Sequence, residues 1–279
     1  MQNYRLGLYE KAMPEHLSWA EKLSGAKRAG YDYLEMSVDE GPVKLSRLDM
    51  PAAERLELQR EMSRQEIRVE SMCLSAHRRF PLGSLDAAVR ERSMEILKKA
   101  VLLARDLGIR IIQIAGYDEY YNPSSEQTRA YFGESLGACV EVAEQYGVLL
   151  GFETMETEFM NSVQKALRWV KRINSPYLQI YPDSGNITNA ALAHGKDVLE
   201  DIRLGAGHLA AVHLKESLPG KYREIPYGNG HVDFQAVIRQ AYALGVRRFT
   251  GEFWYNGDED WLGYIKRNGA YLRTGNMQA

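Results

Sequence analysis

Four residues sit where chemistry can be done: Glu153, Asp183, His213 and Glu252. Each falls at or near the end of a short apolar run, in Gly151-Phe152-Glu153, Tyr181-Pro182-Asp183, Val212-His213-Leu214-Lys215 and Gly251-Glu252-Phe253. Three carboxylates and one imidazole mix hard oxygen with borderline nitrogen, a donor set that a divalent cation such as Mn²⁺, Mg²⁺ or Zn²⁺ accepts and that does not choose among them. Taken singly, each acid is explained as well by capping the following helix or pairing with a nearby Lys or Arg. Four together favour the metal reading. His213 follows Leu209-Ala210-Ala211-Val212, and burying an imidazole there without purpose would cost it hydrogen-bonding partners. Two carboxylates on opposite sides of a hydroxyketone can take the proton α to the carbonyl from one face and return it to the other, which is epimerisation. Glu153 and Glu252 are the candidate pair; the plain alternative is that both only ligate.

A second group of charges lies on loops. Ser75-Ala76-His77-Arg78-Arg79-Phe80 places an imidazole and two guanidiniums after an apolar run, and guanidinium forks suit phosphate oxygens. A solvated basic loop paired with acids such as Asp86 is the structural alternative. Lys11, Lys44, Arg47, Lys215 and Arg223 are further loop cations able to grip an anionic substrate. Gly228-Asn229-Gly230 admits two readings, a close backbone approach to a ligand or a turn leading into the helix that starts at Asp233.

The elements that must position these residues follow from an alternation of short apolar runs and longer stretches of helical periodicity. Strands are expected at 4–9, 31–36, 67–74, 109–115, 148–152, 177–181, 209–214 and 247–253. Helices are expected between them, from about Pro14, from Asp49 or Met50 with Pro51 in the first turn, from Ser84, at 125–146, at 162–173, at 191–203, at 234–244 and from Glu259. Eight such units in 279 residues match one (β/α)₈ TIM barrel, a fold of about 250 residues, as a single domain over 1–279. An open doubly wound sheet is disfavoured, because Leu8-Tyr9-Glu10-Lys11 stands where a glycine-rich dinucleotide turn would be. In the barrel, the four candidate ligands come from consecutive strands and meet at the carboxyl ends.

Composition narrows the function. Lys plus Arg at 35 against Asp plus Glu at 37 gives a formal charge of −2, so no global basic field draws nucleic acid. No apolar run approaches the roughly 18 residues of a membrane span. The start, Met1-Gln2-Asn3-Tyr4-Arg5, lacks an apolar signal region, and a cytoplasmic protein is expected. Cys73 and Cys139, the two cysteines, read as buried reduced thiols.

The residues also resemble a known family. Leu8-Tyr9-Glu10-Lys11-Ala12, Glu35-Met36-Ser37-Val38-Asp39-Glu40, Leu45-Ser46-Arg47-Leu48-Asp49, the unbroken 71–83 run from Ser71-Met72-Cys73 through Pro81-Leu82-Gly83, and Gln113-Ile114-Ala115-Gly116-Tyr117-Asp118 carry the likeness. So do Tyr181-Pro182-Asp183-Ser184-Gly185-Asn186, Ala211-Val212-His213-Leu214-Lys215 and Pro226-Tyr227-Gly228-Asn229-Gly230. Nearly end to end, the chain is similar to the metal-dependent sugar epimerases of the xylose-isomerase-like barrel superfamily, specifically the L-ribulose-5-phosphate (L-xylulose-5-phosphate) 3-epimerases.

The resemblance implies one divalent metal ion held by Glu153, Asp183, His213 and Glu252, with Glu153 and Glu252 doubling as acid and base. It further implies substrate contacts from His77 and Arg223, and an orienting role for Glu156. It suggests a small phosphorylated sugar as substrate, a place in pentose or ascorbate breakdown, and a homodimer. The expected reaction is interconversion of L-ribulose 5-phosphate and L-xylulose 5-phosphate. The alternative is a related metal-dependent epimerase or isomerase of a free ketose or a hexulose 6-phosphate. A DNA-repair endonuclease of the same superfamily would need more His ligands and a basic groove, which six His and a charge of −2 argue against.

Overall fold

In the computed structural model of the chain, residues 3–275 are described. Met1 and Gln2 of the N-terminal reading, and 276–279 of the expected domain, lie outside them. The chain runs β1 (Arg5–Tyr9), α1 (Trp19–Arg28), β2 (Tyr33–Val38), a short α2 (Pro42–Leu45), α3 (Ala52–Arg64) and β3 (Arg68–Leu74). It continues as α4 (Ala87–Leu107), β4 (Ile111–Ala115), α5 (Glu126–Tyr146), β5 (Leu149–Glu153), α6 (Val163–Ile173) and β6 (Leu178–Tyr181). The last part is α7 (Ser184–His194), α8 (Val198–Leu204), β7 (Val212–Leu214), α9 (Phe234–Ala243), β8 (Arg248–Gly251) and α10 (Trp261–Thr274).

The helix limits follow local chemistry. Ser125 and Ser162 accept from backbone N–H groups of the first turns of α5 and α6, and Gly108 and Gly147, both left-handed, end α4 and α5 as expected. Two expectations shift. The first helix starts at Trp19 rather than near Pro14, because Ser18 and Glu21 close a reciprocal capping box there. The stretch expected as one helix near 191–203 is two: Asp183 caps α7, Gly195 at φ 60° stops it, and Asp197 starts α8 by accepting from the Glu200 N–H.

The strands pair in parallel in the order β6-β5-β4-β3-β2-β1-β8-β7. Parallel bridges Ile180–Leu209 and Asp183–His213 join the two ends, so the sheet closes into the expected TIM barrel. Along each strand, alternate residues face opposite ways. Leu6, Leu8, Leu34, Met36, Met72, Ile112, Leu150, Ile180 and Phe249 pack into the main apolar core with the surrounding helices. The alternate set is largely polar and meets across the barrel: Tyr33, Glu35, Ser71, Tyr181, His213 and Thr250 are linked by hydrogen bonds. Gly7 leaves room for this layer, since a Cβ there would lie 2.2 Å from the Tyr33 ring. None of the helices described is long and apolar enough to cross a membrane.

Candidate active site

The barrel delivers the four candidate ligands to one place. Glu153 is the last residue of β5, His213 the middle of β7, Asp183 the cap of α7 just past β6, and Glu252 follows β8. One donor atom from each lies within 4.8 Å of the others. Asp183 and His213 are fully buried, and Glu153 and Glu252 nearly so. Nδ1 of His213 is 2.9 Å from Glu252 Oε2 and 3.6 Å from Glu153 Oε1. Asp183 combines both readings made of it: Oδ1 accepts from the Asn186 N–H at 2.7 Å, capping the helix, while Oδ2 accepts no hydrogen bond and lies 3.2 Å from the Lys215 ammonium. Thr154 ties the ends of two strands together, its hydroxyl accepting from the Asp183 N–H and its carbonyl from the Asn186 amide.

The electrostatics describe a cluster rich in negative charge. Burial raises the Asp183 pKa well above the ordinary carboxylate range; Lys215 opposes this, and Glu252 and Glu153 add to it. Burial pushes Glu252 the same way, but Lys215 and His213 outweigh it and hold that carboxyl well below its usual value. Burial disfavours a charged His213, yet the Glu35 and Glu252 carboxylates overcome it. Three buried carboxylates at this separation repel one another, and a divalent cation relieves that repulsion. The donor set, its closure and the buried Asp183 oxygen that accepts no hydrogen bond therefore fit a metal ion.

Around this cluster the mouth carries Glu156, Arg223 and Arg78. Glu156 accepts from the Tyr117 hydroxyl at 2.7 Å and pairs with Arg223 at 2.8 Å. Burial would raise its pKa, and the Arg223 guanidinium keeps it lowered. Arg78 is half-buried, lies 5.2 Å over the Tyr120 ring, and has a buried Nε without a hydrogen-bond partner. Its field bears on Glu153, Glu156 and Arg223. The other loop cations are already paired: Lys11 with Asp39, Lys44 with Glu10 and Glu15, and Arg47 with Glu10.

His77 and Arg79 are not brought to the cluster in the same way. His77 is buried with Nε2 3.3 Å from the Ser93 carbonyl of α4, and burial pushes its pKa down to about 4. Arg79 is exposed over Phe80. The Gly228-Asn229-Gly230 turn wraps a buried acid: Glu216 accepts backbone N–H groups from Ser217, Gly228 and Val232. A Cβ on Gly230 would lie 2.2 Å from the Glu216 carboxylate. Both cysteines are free and buried.

The site also contains residues the sequence reading passed over. Glu35, in the middle of β2, is fully buried with Oε1 2.5 Å from His213 Nε2. Gln113 of β4 places Nε2 3.0 Å from His213 Nδ1. The available signal was an acid or amide inside an otherwise apolar strand, in Tyr33-Leu34-Glu35-Met36 and Ile111-Ile112-Gln113-Ile114.

A closed parallel barrel with acids and an imidazole at its carboxyl end defines a xylose isomerase-like TIM barrel, and the model of that family matches residues 23–274. Among curated proteins, the chain is 48% identical over 261 residues to SgbU of Escherichia coli (strain K12), covering 91% of this chain and 90% of that protein. It is 47% identical over 258 residues to the L-ribulose-5-phosphate 3-epimerase UlaE of Shigella boydii, covering 91% and 89%. The chain belongs to the L-ribulose-5-phosphate 3-epimerase family. Among solved structures, an L-ribulose 3-epimerase superposes with a TM-score of 0.77 at 19% identity over 98% of this chain and 94% of that one. A D-allulose 3-epimerase from Methylomonas sp. does so with 0.77 at 18% over 98% and 97%. These two likenesses concern the fold.

Proposed function

We propose that this protein is an isomerase that interconverts L-ribulose 5-phosphate and L-xylulose 5-phosphate by moving the C3 proton. The observation that carries the reading is the closed Glu153–Asp183–His213–Glu252 cluster, in a chain 47% identical to UlaE over most of both lengths. Glu153 and Glu252 close β5 and follow β8, with β6 and β7 between them around the barrel. That separation lets one carboxylate face C3 from each side. One accepts the C3 proton, leaving an enediolate, and the other donates a proton to the opposite face, so the configuration inverts without an external redox cofactor.

Glu153, Asp183, His213 and Glu252 would hold one divalent cation, which when bound supplies positive charge to the substrate oxygens as charge develops on them. Lys215 lies close enough to Asp183 and Glu252 to temper the charge of the same wall. Arg223 and Glu156, paired at the mouth, orient substrate hydroxyls. Arg78 takes the phosphate, a role supported by its lack of an acidic partner beside Glu156 and Arg223; Arg79 and His77 shape the same loop. A homodimer is part of this reading, supported by the resemblance alone, and sedimentation of the purified protein decides it.

The test is NMR of metal-loaded protein with L-xylulose 5-phosphate in D₂O. L-ribulose 5-phosphate carrying deuterium at C3 is expected, and Glu153→Gln and Glu252→Gln should each abolish its formation while remaining folded. A glutamine variant that forms L-ribulose 5-phosphate at the parent rate refutes its assigned role. Turnover of a free ketose or a hexulose 6-phosphate in preference to the pentulose phosphate would replace the substrate and keep the chemistry.

A further inference from the structure

His213 can serve the cluster through only one nitrogen at a time, and a neutral imidazole has two tautomers. Its Nδ1 faces Glu252 and Glu153 at 2.9 and 3.6 Å, while Nε2 faces Glu35 at 2.5 Å. We infer that Glu35 is a positioning residue: by accepting the Nε2–H it holds His213 in the tautomer whose Nδ1 lone pair would serve the cation shared with Glu153, Asp183 and Glu252.

The carboxylate is itself anchored for this task. Its Oε2 accepts from the Ser71 hydroxyl at 2.6 Å and the Tyr181 hydroxyl at 3.0 Å, so Oε1 is left for the imidazole. Tyr181 in turn lies 2.6 Å from the Thr250 hydroxyl, and Thr250 pairs in register with His213. The register between β2 and β3 slips at this point: Leu34 pairs with Val69, but Glu35 pairs with Ser71. The extra residue, Glu70, turns away to Arg5 and Arg248. A bulge of this kind re-aims side chains, and here it sets the Ser71 hydroxyl opposite Glu35. A fully buried carboxylate is costly unless paired, and its position against the one imidazole of the cluster gives it a use. Carboxylates behind metal-bound imidazoles fix ring orientation and raise ligand basicity.

The inference rests on the metal reading of the cluster and is independent of which sugar is the substrate. Its test is Mn²⁺ titrated into metal-free protein, with free Mn²⁺ read by electron paramagnetic resonance. The parent should bind one equivalent, and Glu35→Gln, nearly identical in shape, should bind about 10- to 100-fold more weakly. Equal affinity in a folded Glu35→Gln protein overturns the role of Glu35 alone; a parent that binds no Mn²⁺ refutes the metal reading and this role with it. Long-range ¹H–¹⁵N NMR of the Zn²⁺-loaded parent needs no variant. Metal on Nδ1 with a proton on Nε2 is expected, and metal on Nε2 overturns the assignment.

Discussion

Replacing Arg78 by Met separates recognition of the phosphate from the chemistry at C3. The guanidinium sits half-buried over Tyr120 with an unpartnered Nε, while Lys11, Lys44, Arg47 and Arg223 each have an acid beside them. Methionine keeps an unbranched apolar stem of similar reach and removes the guanidinium, with its charge and its N–H donors. A hydrogen bond to a charged group is worth about 1.5–3 kcal/mol, so kcat/KM for L-xylulose 5-phosphate should fall roughly 10- to 150-fold. The loss should fall mainly on KM, because the phosphate contact is made in ground and transition states alike. Initial rates measured by NMR on L-xylulose 5-phosphate and on free L-xylulose provide the comparison, and the free sugar should be converted as poorly by the variant as by the parent. A KM for the phosphorylated sugar equal to the parent's, or an equal loss on both sugars, refutes the assignment of Arg78 to the phosphate. Arg79→Met, altering an exposed side chain over Phe80, should leave KM near the parent value.

Removing bound metal with a chelator should abolish turnover and lower the thermal midpoint, and adding Mn²⁺ at about 1,000 times its dissociation constant should return about 4 kcal/mol of stability; a midpoint indifferent to metal contradicts the cluster's role. His77 makes stability depend on acid. Its folded pKa of about 4 lies below the ordinary 6.5, so its stabilising contribution is present above 6.5 and is lost as the pH falls toward 4. The integrated effect is about 3 kcal/mol, and denaturant titrations of His77→Asn should show a correspondingly flatter pH profile over that window. Glu216→Ala deprives three backbone N–H groups of their acceptor, loosening the loop that carries Arg223; protease cutting within 217–232 and a raised KM are expected, and an unchanged cleavage pattern contradicts that role.

The repeating strand and helix pattern, the barrel and the Glu153–Asp183–His213–Glu252 cluster were legible in the amino-acid order alone. Helix punctuation is local, carried by Ser125, Ser162, Gly108 and Gly147 within a few residues of the ends they define, whereas the Ser18 box that starts α1 was passed over for Pro14. The four candidate ligands were legible because a barrel sends strand ends to one face, so a polar residue closing an apolar run already has an address. The split of α7 from α8 was less so, since Gly195 and Asp197 compete with an apolar periodicity that continues through them.

What only the tertiary structure decided are relations between residues far apart in the chain. Glu35 lies 178 residues from His213, and nothing near it in sequence indicates that a slip between β2 and β3 will aim it at that imidazole. The loop cations look alike in the sequence; packing separates them, pairing Lys11, Lys44, Arg47 and Arg223 with acids and leaving Arg78 beside the mouth without one. The glycine turn at 228–230 acquires its meaning from Glu216, a buried carboxylate that it wraps. Periodicity reports which way a side chain faces from its own strand or helix, whereas charge pairing, tautomer and orphaned polar atoms depend on what the closed barrel places opposite it.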